Sequence, residues 1–185
     1  MGKNRAGFIL KIAEKRTTFN WIFYLLVLIL GKGRLCQILE GIPLIIAGAV
    51  VRIMASGTIR KNEVISSTGP YRMCRHPLYL GSLLISLGFV ITSRSIPVLA
   101  YFLVFFPLAY VPTILVEERL LTRKFGDAYV LYRKQTPPFI PAIRKVDLRD
   151  FSWAQVRKNK EYTNWFVILV LLSAALIKAN LILEK

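Results

Sequence analysis

One histidine, two cysteines and 10 acidic residues in a chain of 185 are scarce resources, and each scarcity closes off a class of explanation. His76 is alone, and Cys36 and Cys74 have no Cys or His partner at metal-ligand spacing, so no metal site is expected. Two cysteines are also too few for a disulfide framework. No internal repeat or low-complexity tract is present. Targeting signals are missing as well. Ala6 stands where an N-myristoylation signal needs Ser or Thr, the last residues Leu183-Glu184-Lys185 hold no prenylation cysteine, and Gly33-Arg34-Leu35 offers no small-residue cleavage site, so the N-terminus is read as retained.

What the chain has in abundance is apolar surface and positive charge. Hydrophobic residues make up 55%, aromatics 12%, and mean hydropathy is +0.49, values that exclude disorder and place the chain among membrane proteins. Lys and Arg total 26, for a net charge of +16. A nucleic-acid partner would require those cations on a soluble module with its own core. Here they flank apolar runs instead, which points to the anionic face of a bilayer as the partner surface.

Five apolar runs cover residues 19–30, 36–55, 78–92, 96–116 and 165–177, the last with a ragged extension to 183. A span needs about 20 helical residues, so the second and fourth are adequate and the other three are short. The first can extend back through the amphipathic stretch at residues 8–12, and the fifth can let Lys178 snorkel to a headgroup. With the N-terminus in the cytoplasm, residues 1–16, 57–77 and 117–163 hold 5, 4 and 11 cations, and the outer loops hold only Lys32, Arg34 and Arg94. The positive-inside bias therefore predicts an all-α polytopic bundle of about five transmembrane helices, with both informative polar segments facing the cytoplasm. The whole chain, 1–185, reads as a single integral-membrane domain with 164–184 as an extra C-terminal apolar helix. Residues 117–135 read as one amphipathic helix at the interface, with Leu121, Phe125, Ala128, Tyr129 and Tyr132 on one face, ended by Pro137-Pro138 and Pro141.

Two constellations could carry chemistry. In the first, Gly69-Pro70-Tyr71-Arg72 leads to Arg75-His76-Pro77-Leu78-Tyr79-Leu80-Gly81 and into the third apolar run. Pro77 suits the first turn of a helix and pushes His76 to the cap, so Arg75 and His76 crowd a helix N-terminus that already favours an anion. Gly81 leaves bare backbone one turn on, where another helix or a flat ligand can approach. The second is Glu117-Glu118, placed at the C-terminus of the fourth run, where the dipole disfavours acids and no base lies at i+3 or i+4. A distant cation is expected there, either the Arg72/Arg75 group or a cationic ligand. Taken singly, each of these residues has an ordinary interfacial role to fall back on: lipid-phosphate anchor, aromatic belt, satisfied cap or hydrated acid. Glu40, five residues into the second run, is a weaker third candidate, Arg52 is expected to snorkel, and the basic segment 142–160 to face lipid.

Arg75-His76-Pro77-Leu78-Tyr79-Leu80-Gly81, followed by Glu117-Glu118-Arg119-Leu120-Leu121, Phe125-Gly126-Asp127-Ala128-Tyr129, Tyr132 and Phe139-Ile140-Pro141, resembles the paired motifs of the isoprenylcysteine carboxyl methyltransferase family, itself similar to the phospholipid N-methyltransferases. The motifs cover residues 69–141. The resemblance implies a membrane enzyme that binds S-adenosylmethionine in a pocket closed by the segment after the acid pair and takes a lipophilic or lipidated acceptor from the bilayer. Carried over residue by residue, it makes Arg75, His76, Pro77, Tyr79, Gly81, Glu117 and Glu118 cofactor-binding, with Arg75 and His76 also the catalytic candidates. Pro138 replaces a basic residue usual in relatives, so the carry-over does not extend to binding an acceptor carboxylate. The residues themselves fit such a donor: its sulfonium and ammonium want carboxylates, and its carboxylate wants a helix start with Arg or His. Two other readings remain. One is an NADPH-dependent sterol-type reductase, disfavoured by paired acids facing an anionic dinucleotide. The other is a non-enzymatic scaffold or transport subunit, for which mid-span polar residues are scarce.

Overall fold

The computed structural model describes residues 15–60 and 63–183. The amphipathic stretch expected at residues 8–12, and with it most of the N-terminal cationic segment, lies outside the described residues. Among those described, seven α-helices run in order: α1 Arg16–Leu30, α2 Leu35–Thr58, α3 Pro77–Ser93, α4 Ile96–Phe125, α5 Asp127–Gln135, α6 Trp153–Lys158 and α7 Tyr162–Leu183, with a short 3₁₀ turn at Gly69–Arg72 and no strand.

Three of these helices, Leu35–Thr58, Ile96–Phe125 and Tyr162–Leu181, are long and apolar enough to cross a membrane, while α1 and α3 are shorter apolar helices of 15 and 17 residues. The fifth run, expected to be short, gains length because the helix starts at Tyr162, before the purely apolar stretch. Lys178 does not reach for a headgroup. Its Nζ donates to the Leu28 and Ile29 carbonyls at 2.8 and 3.1 Å and caps the C-terminal end of α1.

Phe23, Val27, Ile45, Ile85, Phe89, Val98, Phe102 and Leu171 form the core. Leu103, Val104, Leu108 and Val111 on α4 and Phe166, Leu169 and Val170 on α7 are exposed. An apolar exterior of that extent is untenable in water and is what a hydrocarbon solvent requires.

The closest helix contact joins α2 and α3, and glycine explains it. A Cβ on Gly48 would lie 2.6 Å from the Gly81 carbonyl oxygen, and one on Gly88 would lie 2.8 Å from that of Gly41. The pairs Gly41/Gly88 and Gly48/Gly81 are spaced by seven residues on each helix, so the two backbones cross antiparallel with nothing between them. At one end of the bundle, the Lys32 amide donates to the Ser93 carbonyl at 2.8 Å and ties the α1–α2 loop to the α3–α4 turn. The opposite end carries all the longer polar segments.

The segment 117–135 is not one helix. Helix α4 continues to Phe125, the chain breaks at Gly126 with φ +54, and α5 begins afresh at Asp127. A positive φ suits glycine and stops the helix. Glu117 and Glu118 therefore sit two turns before the end of α4, and the dipole penalty expected for them does not apply there.

Candidate active site

The site is built on a backbone scaffold at the polar end. His76 is the N-cap of α3, and Pro77 opens the helix. The preceding turn is gripped by the segment that follows α5. The amides of Arg75 and His76 donate to the carbonyls of Pro137 and Pro138 at 2.9 and 3.2 Å, Ala142 donates to Met73 at 2.9 Å, and Gly69 donates to Asp147 at 2.7 Å. The Tyr132 hydroxyl donates to the Tyr71 carbonyl at 2.7 Å. Backbone hydrogen bonds thus tie residues 137–147 to the 69–76 turn, and the prolines end α5 while their carbonyls hold the histidine.

Five side chains from the two motifs meet. Arg75 Nη2 and His76 Nε2 lie 2.9 and 3.2 Å from Glu118 Oε1. The Tyr79 hydroxyl donates to Glu117 Oε2 at 2.8 Å, and His76 Nδ1 lies 3.7 Å from the same oxygen. His76 stacks on Tyr79, with ring centroids 5.7 Å apart, and Tyr79 meets Tyr110 edge-on at 5.5 Å. The cation expected for the acid pair is therefore Arg75, while Arg72 is exposed and lies outside this group.

Two cavities share this wall. One, of about 360 Å³, lies among α1, α2, α3, α4 and α7, and its lining includes Arg16, Arg52, Ser82, Tyr110 and Glu161. The other, of about 200 Å³, lies under α5 and is lined by Val64, Ile65, Leu120, Leu121, Tyr129 and Tyr132 among others. Tyr71, Arg75, His76 and Glu117 line both. Glu118 lines neither: its carboxylate stands behind Arg75 and His76, 7% exposed, with Arg133 Nε at 3.6 Å on its far side. Pro77 and Gly81 also stay out of both cavities, Pro77 buried as the first residue of α3 and Gly81 against Gly48 and Arg52 in the helix crossing. Of the seven residues expected to hold a cofactor, Arg75, His76, Tyr79 and Glu117 reach one or both of these two cavities.

Several polar atoms here are buried without a partner: the hydroxyls of Tyr71 and Tyr129 and Arg75 Nε. Such orphans cost free energy unless a ligand supplies the bond, and all three residues line the smaller cavity. Burial first and the Glu117 charge second push the Tyr71 phenol well above its ordinary range, and burial with Glu118 pushes Tyr129 up to about 12. Both hydroxyls are thus protonated at neutral pH and can donate. Burial likewise pushes the Cys74 thiol up to about 11, against a backbone hydrogen bond from His76, so it stays protonated and unreactive.

Sequence reasoning missed the larger cavity's far wall. Arg52 does not snorkel. Its Nε and Nη2 bind Glu161 Oε1 and Oε2 at 2.7 and 3.0 Å, and Nη1 donates to Ser82 Oγ at 2.6 Å and the Leu78 carbonyl at 3.2 Å. Asn164 donates to Glu161 at 3.2 Å and Asn159 to the Ser56 carbonyl at 2.8 Å. Glu161 lies just before the last apolar run, and an acid there with Arg52 within another run was the available signal. Glu40, the candidate chosen instead, is exposed.

Residues 38–128 match the family described as phospholipid methyltransferase. Over 84 residues the chain is 38% identical to the cobalt-zinc-cadmium resistance protein CzcN of Cupriavidus metallidurans and 37% identical to the nickel-cobalt-cadmium resistance protein NccN of Alcaligenes xylosoxydans, in each case 45% of this chain and 38% and 39% of theirs. It is 31% identical over 114 residues to the protein-S-isoprenylcysteine O-methyltransferase of Schizosaccharomyces pombe, 60% of this chain and 48% of that one. The chain thus spans less than half the length of these curated relatives. No solved structure matches it. Among the described residues, no group of three or more His, Cys, Asp or Glu is placed to hold a metal ion. The family and the long apolar helices together make this an integral membrane protein.

Proposed function

We propose, on the premise that this chain belongs to the phospholipid methyltransferase family through residues 38–128, that it transfers a methyl group from S-adenosylmethionine to a lipophilic acceptor taken from the membrane. The observation that carries this reading is the joining of Arg75-His76 to Glu117-Glu118 across a wall that two cavities share.

The residues present fit the cofactor. Glu117 offers a carboxylate to both cavities for a sulfonium or ammonium, Arg75 offers a guanidinium with a free buried Nε for a carboxylate, and the Tyr71 and Tyr129 hydroxyls offer donors in the smaller cavity. Apolar Leu120, Leu121, Val64 and Ile65 give that cavity walls for a nucleoside ring. S-adenosylmethionine, when bound, supplies a methyl group on a positively charged sulfur. Glu118 holds Arg75 and His76 in place from behind, and His76 and Tyr79 orient the Glu117 carboxylate. Positioning in a site shielded from water supplies the rate. A carboxylate or thiolate acceptor needs no base. For an amine or phenol, His76 is the imidazole on the shared wall that receives the proton. The positive charge of the connecting segments supports a reading in which the N-terminus and the site lie on the cytoplasmic side of a bundle of about five spans.

Calorimetry on detergent-purified protein tests the reading. Saturable binding of S-adenosylmethionine is expected, weakened about 10- to 150-fold in Glu117→Gln through loss of a charge-assisted contact of about 1.5–3 kcal/mol. Binding of NADPH with no binding of S-adenosylmethionine would reverse the assignment to a reductase.

A further inference from the structure

We propose that the open groove between α4 and α5, outside the two cavities of the shared wall, seats the phosphate of one anionic phospholipid, and that this lipid clamps α5 onto α4 over the smaller cavity. The lipid here is neither methyl donor nor acceptor. Glu118 separates the groove from the wall, with Arg75 and His76 on one side of its carboxylate and Arg133 on the other, so the lipid's seat does not depend on the methyltransferase reading.

Length and polarity select a lipid. The groove, of about 540 Å³, is lined by Leu115, Glu118, Arg119, Thr122, Arg123 and Arg133. It continues a stripe of exposed apolar residues, Val104, Leu108, Val111 and Leu115, which recur at the three- and four-residue spacing of one helical face. Arg119 and Thr122 are the next residues of that face. From Val104 to Leu115 the helix rises roughly 16 Å at about 1.5 Å per residue, close to one leaflet's half of a hydrocarbon core about 30 Å thick. An acyl chain lying on the stripe therefore brings its phosphate to the arginines one turn further on. A soluble phosphate would gain nothing from the stripe.

The charges in the groove favour an anion. Three arginines and one glutamate line it, and the charge of that glutamate, Glu118, is already met from behind by Arg75 at 2.9 Å. Asp127, which opens α5, is not among the lining residues. Arg123 makes no ion pair among the described residues, and the side chain of Arg133, 55% exposed, makes none beyond the 3.6 Å approach of its Nε to Glu118. Guanidinium forks from α4 and α5 can therefore take different oxygens of one phosphate. That bridge has a mechanical consequence. Helix α5 is joined to α4 through Gly126 alone, its Tyr129 and Tyr132 wall the smaller cavity, and its Arg133 carbonyl accepts from Arg75 Nη1 at 3.1 Å. Holding Arg133 to the arginines of α4 fixes that wall in place.

The test uses the full chain in an uncharged detergent, with phosphatidylglycerol, phosphatidylcholine or glycerol phosphate added. Native mass spectrometry counts the bound molecules, and amide hydrogen exchange follows residues 127–135. One phosphatidylglycerol should bind saturably, at least about fivefold more tightly than phosphatidylcholine, and should slow exchange in α5. Arg123→Gln and Arg133→Gln should each weaken it about fivefold and together about 25-fold, with the slowing lost. Arg123→Gln alone keeps the test decisive if loss of Arg133 loosens Glu118. Lys145→Gln with Arg157→Gln removes the same charge from exposed positions outside the groove and should leave affinity within about twofold. An equal loss in that control, equal affinity for phosphatidylcholine or for glycerol phosphate, or exchange in α5 that ignores bound phosphatidylglycerol overturns the proposal.

Discussion

Glu117 and Glu118 are adjacent and identical in chemistry, yet the structure gives them different work. Glu117 borders both cavities, whereas Glu118 is buried against Arg75 and His76. Truncating one member of a buried charged group leaves its partner uncompensated, at about 3–5 kcal/mol. Glu118→Gln should therefore lower the thermal unfolding midpoint of the detergent-solubilised protein, while Glu117→Gln should leave that midpoint nearly unchanged and lose cofactor affinity instead. Equal thermal behaviour of the two variants would refute this division. Cys74 gives a second prediction. Its folded pKa, about 11, lies above its ordinary value of 9.0, so its contribution to stability is fully present below pH 9 and is lost as pH rises through about 11. Stability should be flat from neutrality to pH 9 and then fall, and Cys74→Ala should show a shallower decline over that upper window. An identical decline in the variant would mean that other groups govern base unfolding.

At the scale of helices, two devices hold the site. The Gly48/Gly81 approach sets α3 against α2, and hence sets where His76 stands; Gly48→Leu should cost about 1–3 kcal/mol by overpacking and reduce cofactor binding without touching a cavity residue. The Arg52–Glu161 pair fastens the start of α7 to α2 and α3. Because a buried ion pair can be replaced by packed apolar groups at little cost, Arg52→Met with Glu161→Met should unfold near the wild-type temperature, while Glu161→Gln alone should not. Acceptor turnover should fall in both, since both remove polar groups from the larger cavity's wall. These elements differ in how far sequence revealed them. The five apolar runs were legible because hydropathy integrates over many residues, and His76 at a cap was legible because Pro77 constrains its neighbour. The break at Gly126 was masked by an amphipathic pattern that continues in phase across it. The Arg52–Glu161 contact joins residues 109 apart, which no local pattern can register.

Considered as a whole, the molecule is polarised along its bundle axis: the 69–76 turn, α5, α6 and the starts of α1 and α7 gather at one end, and the short connections at 31–34 and 94–95 lie at the other. The meeting of the two motifs follows from that arrangement, because α3 starts where α4 ends. Motif order alone could suggest this meeting, but could not say that Glu117 would border the two cavities of the shared wall while Glu118 would stand behind Arg75 and His76. Polarity also makes the proposed orientation measurable with the native cysteines. Cys36 is exposed at the start of α2, at the end opposite the site, and Cys74 is buried beneath it. With the site in the cytoplasm, a membrane-impermeant maleimide added outside right-side-out vesicles should modify Cys36 and leave Cys74 untouched until denaturant is added. In inside-out vesicles of the same protein Cys36 should be protected. Modification of Cys36 only from the cytoplasmic side would invert the bundle, and the cationic connections would then face away from the anionic leaflet that the charge distribution requires.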